Sequence, residues 1–161
     1  RKALARHLRL ERGMVMDANE IIITSGATQA IDLLSRIAIR PGGIVVVEDP
    51  SHPVLRETFR RAGAFIVPVP VDENGCQIEK IEAELIRYGK TGDEVQLIYL
   101  TPTCQFPVGS SLSMERRMSV LKWARDRDVL VIDDDYESQQ RQRSDVARAR
   151  FAEHGSHRDL Q

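Results

Sequence analysis

The sequence predicts an α/β fold in which a mostly parallel sheet is covered by helices on both faces. Short apolar runs rich in β-branched residues alternate about five times with stretches whose apolar residues recur at helical spacing. Polar or proline-rich loops follow these runs, and open α/β sheets place their ligands beyond the carboxyl ends of the strands. We therefore expect a three-layer αβα arrangement with a site along one edge of the sheet.

Each element follows from apolar spacing and from the residues that end it. Gly13 ends the first helix, Pro41-Gly42-Gly43 ends the second, and Glu73-Asn74-Gly75 marks a turn. Ser113 is suited to cap the last helix. In chain order, the patterns predict helices near 4–13, 30–38, 53–62, 78–86 and 114–124, and strands at 21–23, 44–47, 65–71, 95–100 and 129–132.

The composition changes sharply near the end of the chain. Residues 1–138 carry the alternating pattern and are predicted to form one partial domain, whereas 139–161 is a polar tail with few sizeable apolar residues. A frayed helix around 144–153 is the most regular structure that we expect in the tail. The chain begins without a methionine and without a signal-like apolar stretch, so we expect it to be the interior of a longer chain.

Composition also excludes several classes of partner. A net charge of −1 with 29% charged residues gives no electrostatic case for nucleic acid or an anionic membrane surface. No apolar run approaches the roughly 20 residues that span a bilayer. Cys76 and Cys104 lack the spacing of a disulfide framework or a metal site, so we expect a reduced, cytoplasmic setting and no metal.

Three loops carry residues suited to binding a small ligand. Residues 24–29 join a strand to a helix, and small residues there allow backbone amides at the helix start to approach an anion; the alternative is a capped turn that binds nothing. His52 follows the next strand and is suited to stack on an aromatic ligand, to act as a base, or only to cap a helix. Residues 133–136, three aspartates and a tyrosine, suit a cation such as a protonated ring nitrogen; the alternative is a solvated acidic turn.

Four motifs in order resemble one known family. TSGATQA at 24–30, EDPSHP at 48–53, TPTCQFPVG at 101–109 and IDDDYES at 132–138 resemble the class I/II aminotransferase domain of fold-type-I pyridoxal phosphate (PLP) proteins. The resemblance is greatest to the MocR-type transcriptional regulators of the GntR family, because Gln105-Phe106-Pro107 stands where most aminotransferases have an asparagine before the proline. It implies a partial PLP-dependent transferase large domain, truncated at both ends.

The resemblance also implies a role for each candidate site residue. Gly26, Ala27 and Thr28 would hold the PLP phosphate, and His52 takes the place of a tyrosine that stacks on the pyridine ring. Asp134 would pair with the pyridine nitrogen and Tyr136 with the ring hydroxyl. Successive strand residues point in opposite directions, which leaves open whether Asp134 or Asp135 faces the ring.

The sequence departs from the family in three respects. Thr28 replaces a glutamine and His52 replaces a tyrosine. After Ser138, the family continues with two more strands and the Schiff-base lysine, and none of this chain's lysines lies in that motif. We therefore expect no catalytic residue here, no catalysis by this chain alone, and weak or absent PLP binding.

Three functional interpretations follow. The first is the PLP-binding, effector-sensing domain of a MocR/GntR-type regulator, without its DNA-binding module. The second is a fragment of a PLP-dependent aminotransferase, and the third is an inactive truncated product. For the first, the resemblance implies a small amine or amino acid as effector, DNA contact only through a missing N-terminal domain, and a homodimer of the full-length protein.

Overall fold

A computed structural model describes residues 1–136, so the predicted tail and its helix at 144–153 lie outside the described residues. The bounds of the elements agree with the sequence pattern to within a few residues, except for the strand predicted at 21–23 and the short strand at Gly75–Cys76, which was not predicted. The helices are α1 (Lys2–Arg12), α2 (Ala27–Ala38), α3 (Pro53–Arg61), α4 (Ile81–Arg87) and α5 (Met114–Asp126); the strands are β1 (Ile44–Asp49), β2 (Phe65–Asp72), β3 (Gly75–Cys76), β4 (Val95–Leu100) and β5 (Leu130–Asp133).

The five strands form one sheet in the order β3-β2-β1-β4-β5. β2, β1, β4 and β5 are mutually parallel, and only the short β3 pairs antiparallel with β2. Val46, in the middle of β1, lies opposite Val67 of β2 and Ile98 of β4. This arrangement confirms the mostly parallel sheet, and it brings the carboxyl ends of β1, β4 and β5 to one edge.

Alternating side chains of the strands build a separate core on each face of the sheet. Ile44 and Val46 pack in the cluster that contains apolar residues of α4 and α5. Val45 and Val47 pack in the cluster that contains Phe59 of α3 and apolar residues of α2. Successive strand residues point to opposite faces, so both faces of β1 are apolar and both are covered. The three-layer αβα prediction is therefore confirmed.

The predicted strand at 21–23 is wrong. Ile21 is buried, but Ile22 and Ile23 are 79% and 65% exposed, and the segment has no strand assignment. A strand requires a neighbour that receives its backbone hydrogen bonds, and no strand within residues 1–136 pairs with this segment. Three consecutive isoleucines indicate β propensity, but propensity alone does not supply the partner.

None of the helices within residues 1–136 has the length and apolar character needed to cross a bilayer.

Candidate functional site

A cavity of about 350 Å³ opens at the carboxyl edge of the sheet, on the α2 and α3 side. This volume lies in the range of small-molecule sites, about 300–1,000 Å³. Three strand ends and two helix starts contribute to its wall. The lining residues are Ala27, Thr28, Glu48, Ser51, His52, Val54, Leu55, Tyr99, Thr101, Phe106, Asp134 and Tyr136.

One wall of the cavity is the first turn of α2. Gly26 precedes this helix with φ of 130°, a conformation that favours glycine, and a Cβ there would meet nothing within 4 Å. Ala27 and Thr28 follow in the first turn, where helix geometry leaves backbone amides without intrahelical acceptors. The Ser25 amide is bound by the Gln29 side chain at 2.5 Å, which orders the approach to the helix. The wall is thus suited to an anionic group.

A second wall is aromatic. The rings of His52 and Phe106 lie 5.1 Å apart, tilted by 41°. Nδ1 of His52 accepts the Val54 amide at 3.3 Å, so the histidine caps α3 and its ring is held at the helix start. The buried Gln105 side chain donates to the carbonyls of Pro50 and Phe106 at 2.6 and 2.7 Å, which ties the two loops together. The pair therefore presents a fixed apolar surface to the cavity.

The three consecutive aspartates point in three directions. Asp133 lies 3.5 Å from the Arg117 guanidinium of α5, and Asp135 forms an ion pair with Arg12 at the end of α1. Asp134 lines the cavity, with its amide bonded to the Leu100 carbonyl at 2.9 Å. The sequence left open whether Asp134 or Asp135 faces the ligand. The structure places Asp134 at the cavity and Asp135 against α1.

Two tyrosine hydroxyls lie beside this acidic turn. The buried Tyr99 of β4 donates to Oδ2 of Asp134 at 2.6 Å. Tyr136 donates to the carbonyl of Cys104 at 2.8 Å, which joins the acidic turn to the loop at 101–109. Both tyrosines line the cavity.

A second carboxylate, Glu48 at the end of β1, is only 1% exposed. Its Oε2 accepts the Thr101 hydroxyl at 2.5 Å and the Thr101 amide at 3.1 Å. Burial raises the pKa of Glu48 above its ordinary value of 4.5, and the hydrogen bonds from Thr101 oppose that rise. The folded chain therefore retains the proton on Glu48 to a higher pH than the unfolded chain does.

This shift predicts a pH-dependent effect of Glu48→Gln. As pH rises from near 4.5 through the raised pKa, the folded wild type must ionise a buried acid, so it loses stability relative to the glutamine variant. Glutamine keeps an acceptor for Thr101. We expect the free energy of unfolding of the variant, minus that of the wild type, to increase over this window. Urea unfolding at a series of pH values measures this difference in free energy. A difference that does not change with pH would contradict the raised pKa of Glu48.

The structure brings the predicted site residues together at one edge. Gly26 is the N-cap of α2, and Ala27, Thr28, His52, Asp134 and Tyr136 all line the cavity. Sequence reasoning missed two buried polar residues, Glu48 and Tyr99. Their signal was present: each is a polar residue near the carboxyl end of an otherwise apolar strand. The lining contains no lysine among the residues that the structure describes.

Comparison with known proteins places the chain in a family. Residues 1–156 match the family described as aminotransferase class I and II. Aromatic-amino-acid aminotransferase 1 of Thermococcus litoralis is 33% identical over 134 residues, which are 83% of this chain and 32% of that protein. The probable rhizopine catabolism regulatory protein MocR of Rhizobium meliloti is 32% identical over 139 residues, 86% of this chain and 26% of that protein.

Solved structures agree with the fold. An archaeal alanine:glyoxylate aminotransferase superposes with a TM-score of 0.75 at 39% identity, covering 83% of this chain and 33% of that one. The chain therefore spans about a quarter to a third of the length of these relatives. Enzymes and regulators both occur among these relatives. The chain belongs to the class I and II aminotransferase family, whose fold is that of the fold-type-I PLP proteins.

Proposed function

We propose that the cavity binds pyridoxal phosphate and that this chain is part of the effector-sensing domain of a MocR/GntR-type transcriptional regulator. The observation that carries this proposal is the composition of the cavity wall. A helix start, an aromatic surface and the Asp134 carboxylate lie around one space of about 350 Å³. These three surfaces complement the phosphate, the flat ring and the protonated nitrogen of the cofactor.

The residues present fit the cofactor in detail. The phosphate would lie at the start of α2, where Gly26 leaves open space and Ala27 and Thr28 offer amides and a hydroxyl. The ring would rest against His52, with its nitrogen toward Asp134 and its hydroxyl toward Tyr136. A carboxylate beside the ring nitrogen favours the protonated form of the ring.

The chemistry of the cofactor indicates the class of effector. The bound cofactor would supply an aldehyde that combines with primary amines, which suits a small amine or amino acid as effector. Phe106 adds an apolar ring to the wall at the position before proline, where most aminotransferases carry an asparagine. No lysine among residues 1–136 lines the cavity. In this proposal, the lining residues bind and orient the cofactor.

The regulator interpretation extends beyond this chain. In this interpretation, an N-terminal winged-helix module outside this sequence contacts the DNA. The full-length protein is a cytoplasmic homodimer. The regulators among the relatives support this assignment.

Titration with pyridoxamine phosphate tests the binding site, because this form lacks the aldehyde that modifies surface lysines. We expect the chain to bind this ligand weakly and saturably. Ligand fluorescence or NMR measures the binding. Asp134→Asn should weaken binding about ten- to a hundredfold, as expected for loss of a hydrogen bond to a charged group. Asp133→Asn is the matched control, since its carboxylate faces Arg117. Equal effects of the two variants, or no binding by the wild type, would overturn the assignment.

An aminotransferase fragment is the second candidate, supported by the 33% identity to the Thermococcus enzyme. The DNA that flanks this coding segment separates the two. A winged-helix module encoded upstream selects the regulator, and its absence from a complete upstream reading frame selects the enzyme.

A further inference from the structure

We propose that Tyr99 is a positioning residue, whose hydroxyl holds the Asp134 carboxylate in the orientation that receives a protonated ring nitrogen. This inference rests on the proposed PLP site and adds a residue that neither the motifs nor the comparisons assign. Tyr99 lies one residue before the end of β4, and Asp134 follows β5 directly. The two strands are adjacent and parallel, with Tyr99 opposite Ile132.

Asp134 is held to β4 at two points. Its backbone amide donates to the carbonyl of Leu100 at 2.9 Å, and its Oδ2 accepts the Tyr99 hydroxyl at 2.6 Å. The first bond fixes the main chain of the turn, and the second fixes rotation of the carboxylate. The neighbouring acids have other partners, Arg117 for Asp133 and Arg12 for Asp135. Thus the hydroxyl of Tyr99 binds the one of these three aspartates that lines the cavity.

Tyr99 itself is rigid. It is 1% exposed, and its ring meets the Phe59 ring edge-on at 5.7 Å and 62°. Burial, together with the bonded Asp134 carboxylate, raises the pKa of Tyr99. The hydroxyl therefore stays protonated throughout the usual pH range and remains a donor to the carboxylate. Because this donor already restricts the Asp134 carboxylate, Asp134 loses less conformational entropy when a ligand binds, and binding through Asp134 is stronger.

The test compares two ligands that differ at one ring atom. The first is pyridoxamine phosphate, and the second is its carbocyclic analogue, in which a CH group replaces the ring nitrogen. Only the first can bond to Asp134. Tyr99→Phe removes the hydroxyl but keeps the ring and its contact with Phe59. Tyr88→Phe is the matched control, because Tyr88 is 39% exposed and packs on Phe65 instead.

We expect Tyr99→Phe to weaken pyridoxamine phosphate binding about tenfold and to leave binding of the carbocyclic analogue unchanged. In the Asp134→Asn background, the same substitution should have no further effect on either ligand. Tyr88→Phe should bind both ligands as the wild type does, and circular dichroism confirms folding of every variant.

Two outcomes would overturn the inference and leave the proposed function standing. Unchanged affinity for both ligands would show that the hydroxyl does not act through Asp134. Equal loss for both ligands would show that Tyr99 only shapes the cavity. Failure of the wild-type chain to bind pyridoxamine phosphate would instead overturn the proposed function, and this inference with it.

Discussion

Replacing Phe59 by alanine is expected to lower the free energy of unfolding by about 3–5 kcal/mol. Phe59 is completely buried between α3 and the sheet, and it meets Tyr99 edge-on at 5.7 Å. Alanine removes the transfer free energy of the ring and leaves a void that the close-packed strand residues cannot fill. The loss is a large share of the 5–15 kcal/mol typical of a domain. Urea unfolding followed by circular dichroism measures it.

Phe65→Ala is the matched control for this prediction. Phe65 also contacts a tyrosine edge-on, Tyr88 at 5.8 Å, but it is 37% exposed at the start of β2. Its removal exposes little new apolar surface and leaves no closed void, so we expect a loss of about 1 kcal/mol. If the two variants were equally destabilised, burial on the α3 face would not be the source of the stability.

Replacing Gly75 by alanine is expected to cost about 3 kcal/mol. Gly75 has φ of +87°, and a Cβ there would lie 2.7 Å from the Cα of Leu112. The left-handed conformation costs an alanine about 1–2 kcal/mol, and crowding against a backbone atom adds about 1–3 kcal/mol. Leu112 cannot move freely, because its amide is bonded to the Pro102 carbonyl at 2.8 Å. The shift in the midpoint of urea denaturation measures this loss of stability.

Gly89→Ala separates the two contributions. Gly89 also has a positive φ, +66°, but a Cβ there would meet nothing within 4 Å. We expect only the conformational cost, about 1–2 kcal/mol. A loss as large as that of Gly75→Ala would mean that the contact with Leu112 is not what requires a glycine at position 75.

Much of the site could be predicted because its residues follow strands. The carboxyl ends of parallel strands meet at one edge, so loops that are distant in sequence must converge there. His52, Asp134 and Tyr136 follow β1 and β5 and line one cavity. Ala27 and Thr28 line it too, although residues 21–23 before them do not form a strand. Glu48 and Tyr99 were missed because a polar residue inside an apolar strand gives no indication of the partner that satisfies it.

The direction of each aspartate could not be predicted. Asp133, Asp134 and Asp135 are chemically identical, and the strand alternation ends just where they begin. Their directions depend on Arg117, Tyr99 and Arg12, each of which binds one of the three acids. The segment at 21–23 illustrates the same limit, since β propensity is local whereas strand pairing is not.

The sequence by itself determined the α/β class, the mostly parallel sheet and the loops that form the ligand edge. These follow from local periodicity and from the topology that parallel strands impose. Only the tertiary structure decided that Asp134 faces the cavity, that Tyr99 orders it, and that His52 and Phe106 form one surface. Such contacts join residues far apart in the chain, and they exist only once packing fixes side-chain directions that sequence spacing leaves free.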